Sequence, residues 1–339
     1  FFFKQKTAYE IYQCDWSSDV CSSDLKGRYE FLRFFLPLYA AENQTISIFI
    51  GDSNNDLNSR EFYQWIKERC FPNVYYFSYP NLTVGATLYQ LAKLAKNKVS
   101  YLTFAGDDDY IFPDFIPKAA QVLKSQSKIK SVQGRAIVVE FELRNRKLKL
   151  GRFGNYWQTP QRNEKTISER LISHSENYYV ANFSIQKSAD YFRNVSNYVK
   201  SRQNISNHWQ EFLESFSVVA TGQTYYLNSA HLIRGIHSGR TLVVSGSTRD
   251  SKVYEHEKAY FQLVLAKKLK NTKNKKKIIE LVVENLEQNG QNTKKSNKSL
   301  NRTKHLIRLY LPKIYFKTKN SLDFYQYKMF TEILKQIRY

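Results

Sequence analysis

The chain has 339 residues, and its hydrophobic content of 42% with 15% aromatic residues excludes a wholly disordered protein. No stretch approaches the roughly 18 uninterrupted apolar residues of a membrane-spanning helix, so we do not expect an integral membrane protein. The net charge is +22, and residues 251–339 carry 21 Lys and Arg against 7 Asp and Glu. This excess fits nucleic acid or an anionic membrane face, but AT-rich codon usage would also produce it, so charge alone does not identify a partner.

The first 25 residues do not resemble a folding segment, because they show no apolar period. Back-translation of residues 4–11 and 15–25 gives codons that resemble the two constant blocks of a short-read sequencing adapter. A signal peptide would need an apolar run of about 7–15 residues after its basic start, and none follows Lys4 and Lys6. We interpret residues 1–25 as a non-native, adapter-derived segment, and we expect the native N-terminus to be missing.

The cysteine content points to a reducing compartment. Cys14 and Cys21 fall in the adapter-like segment, which leaves Cys70. One cysteine makes neither a disulfide framework nor a zinc site. A reduced cysteine suits the cytoplasm, and we expect a cytoplasmic protein.

Helical and strand patterns alternate from residue 28. Helical apolar spacing predicts helices over 28–42, 59–70 and 84–97. Runs of β-branched and aromatic residues predict strands over 45–51, 73–80 and 98–106. This alternation with short connections predicts βαβ units and a mostly parallel sheet flanked by helices, an α/β fold.

The pattern changes beyond residue 130. Alternation over 131–143 and 147–157 predicts an antiparallel pair, and 178–194 a strand leading into a helix. We predict a helix over 207–216 and then a hairpin that turns at Thr221 and Gly222. We therefore expect a catalytic-type α/β domain over 26–250 and a basic helical accessory region over 251–339, with a loop at 288–299.

Acidic residues follow two of the predicted strands. The sequence GDSNND (51–56) follows one, and GDDDYIFP (106–113) follows another. Parallel sheets bind ligands outside the carboxyl ends of their strands. Three adjacent aspartates repel one another, and a hard cation such as Mg²⁺ or Mn²⁺ would relieve this, with Asp107 and Asp109 facing the same way. The alternative is a solvated acidic turn at the N-terminus of the next helix.

These motifs resemble the family 2 glycosyltransferases, which use nucleotide sugars and have a GT-A fold. The resemblance covers roughly 28–245 and is most specific over 98–117. It rests on the acidic loop at 52–56, on Asn81 with Gly85, and on Asp107-Asp108-Asp109-Tyr110 before Pro113. The family's first strand would precede Lys26, so the resemblance implies that this chain lacks it, and we expect impaired activity.

The resemblance implies metal-dependent, inverting transfer of a sugar from a nucleotide-diphosphate donor to a glycan or lipid-linked acceptor, as in cell-envelope polysaccharide synthesis. It implies nucleotide-sugar contacts by Asp52, Ser53, Asp107 and Asp108, and Mg²⁺ or Mn²⁺ held by Asp109 with Asp107. The loop IRGIHSGRT (233–241) brings together a histidine and two arginines, so we predict His237 as a further metal ligand and Arg234 and Arg240 as contacts to the diphosphate. The alternative is a structural or solvent-facing histidine.

The family's catalytic base lies on a helix roughly a hundred residues after the metal motif. Glu211 and Glu214 lie three apart on one predicted helical face. We prefer Glu211 as the base, and Trp209 could stack on a sugar ring. The alternative is a surface helix with solvated glutamates.

Two rival functions remain open. IFIGDSNND also resembles the Gly-Asp-Ser block of SGNH esterases, with Ser53 as nucleophile, but no histidine has Asp three residues before it. A nucleic-acid binder using the basic tail would leave the three aspartates unexplained, so nucleic acid is disfavoured. Basic and aromatic residues at 306–317 and 325–339 predict peripheral contact with an anionic membrane, or a helical subdomain packed on the core.

Overall fold

The computed structural model describes residues 9–14, 29–42, 46–144, 147–157, 161, 163–199, 207–237 and 251–296. Arg240 and the segments 306–317 and 325–339 lie outside these residues, so the predictions about them stay predictions. Within the described part, every helix is too short or too polar to serve as a membrane span.

The helices of the described part lie close to the predicted positions in the first half of the chain. They are α1 (Tyr29–Glu42), α2 (Leu57–Arg69), α3 (Val84–Ala95), α4 (Phe115–Ser125), α5 (Ile167–Glu176), α6 (Ser188–Val199), α7 (Asn207–Thr221), α8 (Ser251–Lys268) and α9 (Lys275–Ser296).

The strands of the described part all belong to one sheet. They are β1 (Tyr9–Cys14), β2 (Ile46–Asp52), β3 (Val74–Ser78), β4 (Tyr101–Gly106), β5 (Tyr110–Ile111), β6 (Ile129–Arg144), β7 (Lys147–Trp157), β8 (Ile185–Lys187) and β9 (Gln223–Ile236).

The sheet has the order β3-β2-β1-β4-β8-β6-β9-β5, and β7 pairs with β6 off this path. The strands β3, β2, β1 and β4 are mutually parallel, as are β6 and β9. Strand β8 runs antiparallel between β4 and β6, and the predicted pair β6–β7 is antiparallel. The predicted α/β class, a mixed sheet flanked by helices, is confirmed.

The centre of the parallel block is occupied by β1, which lies between β2 and β4. We expected this position to be empty because the family's first strand would precede Lys26. In the structure, residues Tyr9–Cys14 of the adapter-like segment take that position. The origin of residues 1–25 stays a prediction.

Hydrogen bonds from side chains fix where the helices begin. The Asp56 carboxylate accepts from the Ser59 N–H at the start of α2, and the Thr83 hydroxyl accepts from the Ala86 N–H at the start of α3. Helix α5 begins with a capping box between Thr166 and Glu169. These polar caps follow strand ends and loops, so they set the angle at which each helix leaves the sheet edge.

Two boundaries in the second half differ from the prediction. Helix α7 continues to Thr221 and leads directly into β9, so the predicted hairpin turning at Thr221 and Gly222 is wrong. Apolar Val218, Val219 and Ala220 are buried on α7, and this packing overrides their strand propensity. Helix α9 likewise runs to Ser296, through most of the predicted loop at 288–299.

Candidate active site

The two acidic strand ends lie at one edge of the sheet. Cys14 at the end of β1 is in register with Gly51 of β2 on one side and with Gly106 of β4 on the other. Neighbouring strands are about 4.8 Å apart, so the acidic loops that follow Gly51 and Gly106 begin roughly 10 Å from each other. This edge is where parallel sheets bind ligands.

Asp52, which ends β2, is buried and accepts a dense set of hydrogen bonds. Its Oδ2 accepts from the hydroxyls of Tyr29 (3.0 Å), Ser59 (2.8 Å) and Tyr76 (2.5 Å), and its Oδ1 accepts from the Asn54 N–H (2.9 Å). These donors hold the loop against α1, α2 and β3. The predicted contact of Asp52 with a nucleotide stays a prediction, because the carboxylate already has several protein donors.

Ser53 follows in the same loop and is also buried. Its hydroxyl has no hydrogen-bond partner among the described residues, whereas its carbonyl accepts from the Asn81 N–H (3.0 Å). Asn81 has a φ of 65°, a left-handed conformation that asparagine tolerates better than most residues. A buried hydroxyl without a partner usually has a ligand or water in its functional state.

The three aspartates after β4 form a tight buried loop. Asp107, Asp108 and Asp109 are at most 4% exposed, and the Asp109 N–H donates to the Gly106 carbonyl (3.2 Å). A Cβ at Gly106 would lie 2.7 Å from Asp109 Oδ2 and 2.9 Å from Asp108 Oδ1. A side chain at this position would therefore push the Asp108 and Asp109 carboxylates away from the strand end over which they fold back. The alternative of a solvated acidic turn is wrong, because these side chains are not exposed.

Asp109 is paired with β9. Arg234 Nη1 donates to Asp109 Oδ2 at 2.7 Å, and the Gly235 N–H donates to Oδ1 at 3.1 Å. Both side chains of the ion pair are at most 9% exposed. The Arg234 guanidinium also lies 4.5 Å from the centre of the Phe183 ring. The predicted metal role of Asp109 and the diphosphate role of Arg234 stay predictions, because in the structure these two side chains bind each other.

Asp108 faces a different residue, His237 at the end of β9. His237 Nε2 lies 3.2 Å from Asp108 Oδ2, and the imidazole packs on Phe31 of α1 with ring centres 4.7 Å apart. The first turn of α1 therefore contacts the loop after β2 directly, through Tyr29 and Asp52, and the loop after β4 only by way of His237. Asp108 and His237 are both predicted site residues, and the structure brings them together.

The donor atoms at this edge fit a divalent cation in part. Within the described residues, no group of three or more His, Cys, Asp and Glu side chains forms a metal site. Asp108 Oδ2 and His237 Nε2 are hydrogen-bond partners 3.2 Å apart, so an ion held by both would take the place of this hydrogen bond. Such an ion would complete its shell with water and substrate phosphate oxygens, as Mg²⁺ commonly does.

Glu211 lies on α7, partly exposed, and accepts a hydrogen bond from the Tyr178 hydroxyl (3.0 Å). Burial, with the nearby Glu211 carboxylate, raises the pKa of Tyr178 well above its ordinary value, so this hydroxyl stays protonated as a donor. Helix α7 ends at Thr221, next to Gln223, whose N–H donates to the Lys128 carbonyl at the start of β6. Glu211 is ten residues, about 15 Å along the helix axis, from that end.

Glu214 lies one turn deeper and is 2% exposed. Its Oε2 accepts from Asn182 Nδ2 at 2.7 Å. It borders a small cavity between α3, α6 and α7, together with the polar groups of Gln186 and Asn194. The prediction of Glu214 as a catalytic residue does not fit this burial, because an acceptor hydroxyl could not reach it.

Trp209 does not face the site. It is 1% exposed and packs against Phe212 of its own helix and against Tyr254 and Phe261 of α8, with ring centres 5.2–5.5 Å apart. The prediction that Trp209 stacks on a sugar is therefore wrong, because the apolar side of α7 is covered by α8.

Three residues of the site were missed in the sequence. Tyr29 holds Asp52, Tyr178 holds Glu211, and Phe183 lies under Arg234. Each acts on a residue far away in the chain, so spacing gives no signal for it. The one hint to such residues in the sequence would be an aromatic residue that directly follows a predicted loop.

No model of a known protein family matches the chain, and no curated protein matches its sequence. Among solved structures it is similar to the crystal structure of S. aureus TarS 1–349 in complex with UDP-GlcNAc. That match has 14% identity and a TM-score of 0.51, and it covers 82% of this chain and 71% of the other. A second match, to the crystal structure of S. aureus TarS 1–349, has 11% identity and a TM-score of 0.49, and it covers 86% of this chain and 75% of the other. The first match shows that the chain has a GT-A-like glycosyltransferase fold.

Proposed function

We propose that this protein is a glycosyltransferase that moves a sugar from a nucleotide-diphosphate donor to a hydroxyl of a glycan or lipid-linked acceptor. The observation that carries the proposal is the meeting of two acidic strand ends on one edge, with His237 beside Asp108. The UDP-GlcNAc in the complex of similar fold supports a uridine-diphosphate sugar as the donor to test first.

The donor would lie between the two acidic loops, above the end of β1. Asp52 shapes the wall on the β2 side through the hydroxyls of Tyr29, Ser59 and Tyr76. The buried Ser53 hydroxyl is the polar group that a ribose or base could satisfy there. Asp107 opens the loop on the β4 side and would face the ribose.

A Mg²⁺ or Mn²⁺ ion would be held by Asp108 and His237. When bound, it would neutralise the charge that develops on the departing nucleoside diphosphate. Asp109 is held by Arg234 and the Gly235 N–H, whereas Asp108 contacts His237. In this proposal Asp109 forms the ion pair, Asp108 would bind the ion and Asp107 would face the ribose.

Glu211 would act as the base for inverting transfer. It is partly exposed, and the protonated Tyr178 hydroxyl orients one of its oxygens. A carboxylate in this position can take the proton of the acceptor hydroxyl as that oxygen attacks the anomeric carbon opposite the leaving group. Polysaccharide synthesis for a cell envelope is the process that such an acceptor class fits.

The esterase alternative has less support than before. Ser53 would need a histidine base within hydrogen-bond reach. In the described ranges, the Ser53 hydroxyl makes no hydrogen bond, and His237 faces Asp108. The nucleic-acid alternative leaves the buried aspartates without a role.

Binding of UDP to the full chain, measured by titration calorimetry with and without Mn²⁺, tests the proposal without requiring turnover. We expect Mn²⁺ to tighten UDP binding by tenfold or more, on the order of 1.4 kcal/mol, and this gain to vanish in Asp108→Asn and His237→Asn. Glu68→Gln, an exposed carboxylate on α2, is the matched control and should behave as the parent. UDP affinity that is equal with Mn²⁺ and with EDTA would overturn the metal-dependent assignment.

A further inference from the structure

Three lysine-rich segments lie at the edge of the sheet opposite to the acidic loops. Residues 93–98 connect the end of α3 to β4, residues 124–130 connect α4 to β6, and residues 267–277 connect α8 to α9. They contain three, three and seven lysines, and neither an aspartate nor a glutamate. Strand β8 is antiparallel to both β4 and β6, so β4 and β6 run in the same direction and begin at the same edge of the sheet.

The connection between α8 and α9 reaches this edge through Asn194 of α6. Lys268 Nζ donates to Asn194 Oδ1 (3.4 Å), and the Thr221 hydroxyl at the end of α7 donates to the same oxygen (2.9 Å). Two residues later, the Gln223 N–H donates to the Lys128 carbonyl. We call the exposed lysines of the three segments the basic face: Lys93, Lys98, Lys124, Lys128, Lys267, Lys270, Lys273, Lys275, Lys276 and Lys277.

The positive charges of the basic face are weakly compensated. Lys276 pairs with Glu280 at 3.9 Å, but the two side chains are 90% and 60% exposed, so solvent screens the pair. Burial, with a smaller contribution from the charge of Arg193, lowers the pKa of Lys268 to about 8.

Helix stability does not account for the lysines at 275–277. Lysines at the C-terminal end of a helix, such as Lys124 on α4, complement the helix dipole. Lys275, Lys276 and Lys277 instead occupy the first turn of α9, where the dipole disfavours cations and where no acidic residue is present. The helix dipole therefore gives no reason for three lysines at this position.

We propose that the basic face docks on an anionic lipid bilayer. Readers of nucleic acid combine arginine forks with aromatic rings that stack on bases. Residues 267–277 contain neither Arg nor an aromatic residue. Clustered lysines without these groups suit a surface of many phosphates with no fixed pattern, as lipid headgroups provide.

Docking in this way orients the molecule. The acidic loops after β2 and β4 lie at the far ends of strands about 20 Å long, so they face away from the lipid and are not repelled by it. The surface interaction does not depend on the donor site, and it stands or falls separately from the proposed function.

Flotation of the full chain with vesicles tests the docking. The probes are vesicles of phosphatidylcholine alone and vesicles with about 30% phosphatidylglycerol, at low and at high salt. We expect binding to the anionic vesicles that is lost at high salt. Lys275→Gln combined with Lys277→Gln should weaken the partition coefficient about thirtyfold, because each lysine near such a surface contributes about a factor of five.

The matched control removes two cations at the other edge, Arg60→Gln in the first turn of α2 and Lys118→Gln in that of α4. It should change the partition less than twofold. An equal loss of vesicle binding in the two double variants would show that total charge, rather than the basic face, determines the binding, and would overturn the proposal. So would absence of vesicle binding, or retention on duplex DNA with no retention on vesicles.

Discussion

Arg234 and Asp109 form a buried ion pair that joins β9 to the acidic loop after β4, with Nη1 and Oδ2 2.7 Å apart. The guanidinium rests on the Phe183 ring, and the Gly235 N–H donates to the other oxygen of the same carboxylate. These three contacts hold the loop against β9, and polar groups that are held in place need little rearrangement during a reaction.

The first prediction concerns the energy of this pair. Arg234→Met leaves the Asp109 carboxylate buried without its cation, and we expect a loss of about 3–5 kcal/mol in the free energy of unfolding. Asp109→Leu combined with Arg234→Met removes both charges and should recover most of this loss. Urea denaturation of the two variants measures the difference. A double variant as unstable as Arg234→Met would contradict the account.

The second prediction concerns Gly235. A Cβ at this position would lie 2.1 Å from the Asp108 carbonyl oxygen, so Gly235→Ala must displace the acidic loop. We expect UDP affinity in the presence of Mn²⁺ to fall at least tenfold, on the order of 1.4 kcal/mol. Ile236→Ala, at the exposed neighbouring position, is the control and should leave the affinity unchanged. Unchanged affinity in Gly235→Ala would show that the loop does not form the donor site.

The third prediction separates the two glutamates of α7. Glu211→Gln removes the proposed base, and we expect kcat for donor turnover to fall about 10²–10⁴-fold with little change in stability. Glu214→Ala leaves the Asn182 amide without its acceptor, and we expect it to cost about 1–3 kcal/mol in stability with kcat nearly unchanged. Nucleoside diphosphate release and thermal unfolding distinguish them, and a reversed pattern would move the base to Glu214.

The meeting of the acidic loops could be predicted from the sequence because local patterns determine it. Hydrophobic runs define β2 and β4, and parallel strands place their carboxyl ends at one edge. The pairing inside the loop could not be predicted, because Asp109 and Arg234 are 125 residues apart in the chain. Three adjacent aspartates also look alike in sequence, whereas in the structure each has different neighbours.

Helix α7 shows a second limit. Glu211 and Glu214 share one face by spacing, yet Glu214 is buried and Glu211 is partly exposed. The burial of Trp209 depends on α8, a helix more than 40 residues later, and periodicity within α7 gives no information on what will cover it.

The fourth prediction concerns the hydroxyls around Asp52. Tyr29→Phe removes a donor to Oδ2 but keeps the ring that packs against Phe62, with centres 5.0 Å apart. We expect a loss of about 1–2 kcal/mol in stability, because the buried carboxylate loses a charge-assisted hydrogen bond. Tyr63→Phe, an exposed tyrosine on α2, is the control in the same urea titration. A loss of stability equal to that of the control would mean that the hydroxyls of Ser59 and Tyr76 are enough to stabilise the Asp52 carboxylate.

The last prediction concerns acid stability and His231 of β9. Its imidazole is buried against Phe115, with ring centres 4.4 Å apart, and burial lowers the pKa of His231 to about 3 from its ordinary 6.5. Between these values the unfolded chain binds a proton that the folded chain does not, so stability is complete above pH 6.5 and declines as the pH falls toward 3.

Each pH unit in that window costs about 1.4 kcal/mol, so this histidine should account for about 2–3 kcal/mol of the loss between pH 7 and pH 4.5. His231→Gln cannot take up the proton. The Phe183 carbonyl, which is a hydrogen-bond partner of the His231 ring, still accepts from the Thr103 hydroxyl at 2.7 Å in this variant. Urea unfolding at both pH values should therefore show a smaller acid loss in His231→Gln than in the parent. His256→Gln, at an exposed position on α8, is the control and should lose as much stability in acid as the parent. If His231→Gln also loses as much as the parent, the burial of a neutral imidazole does not limit acid stability.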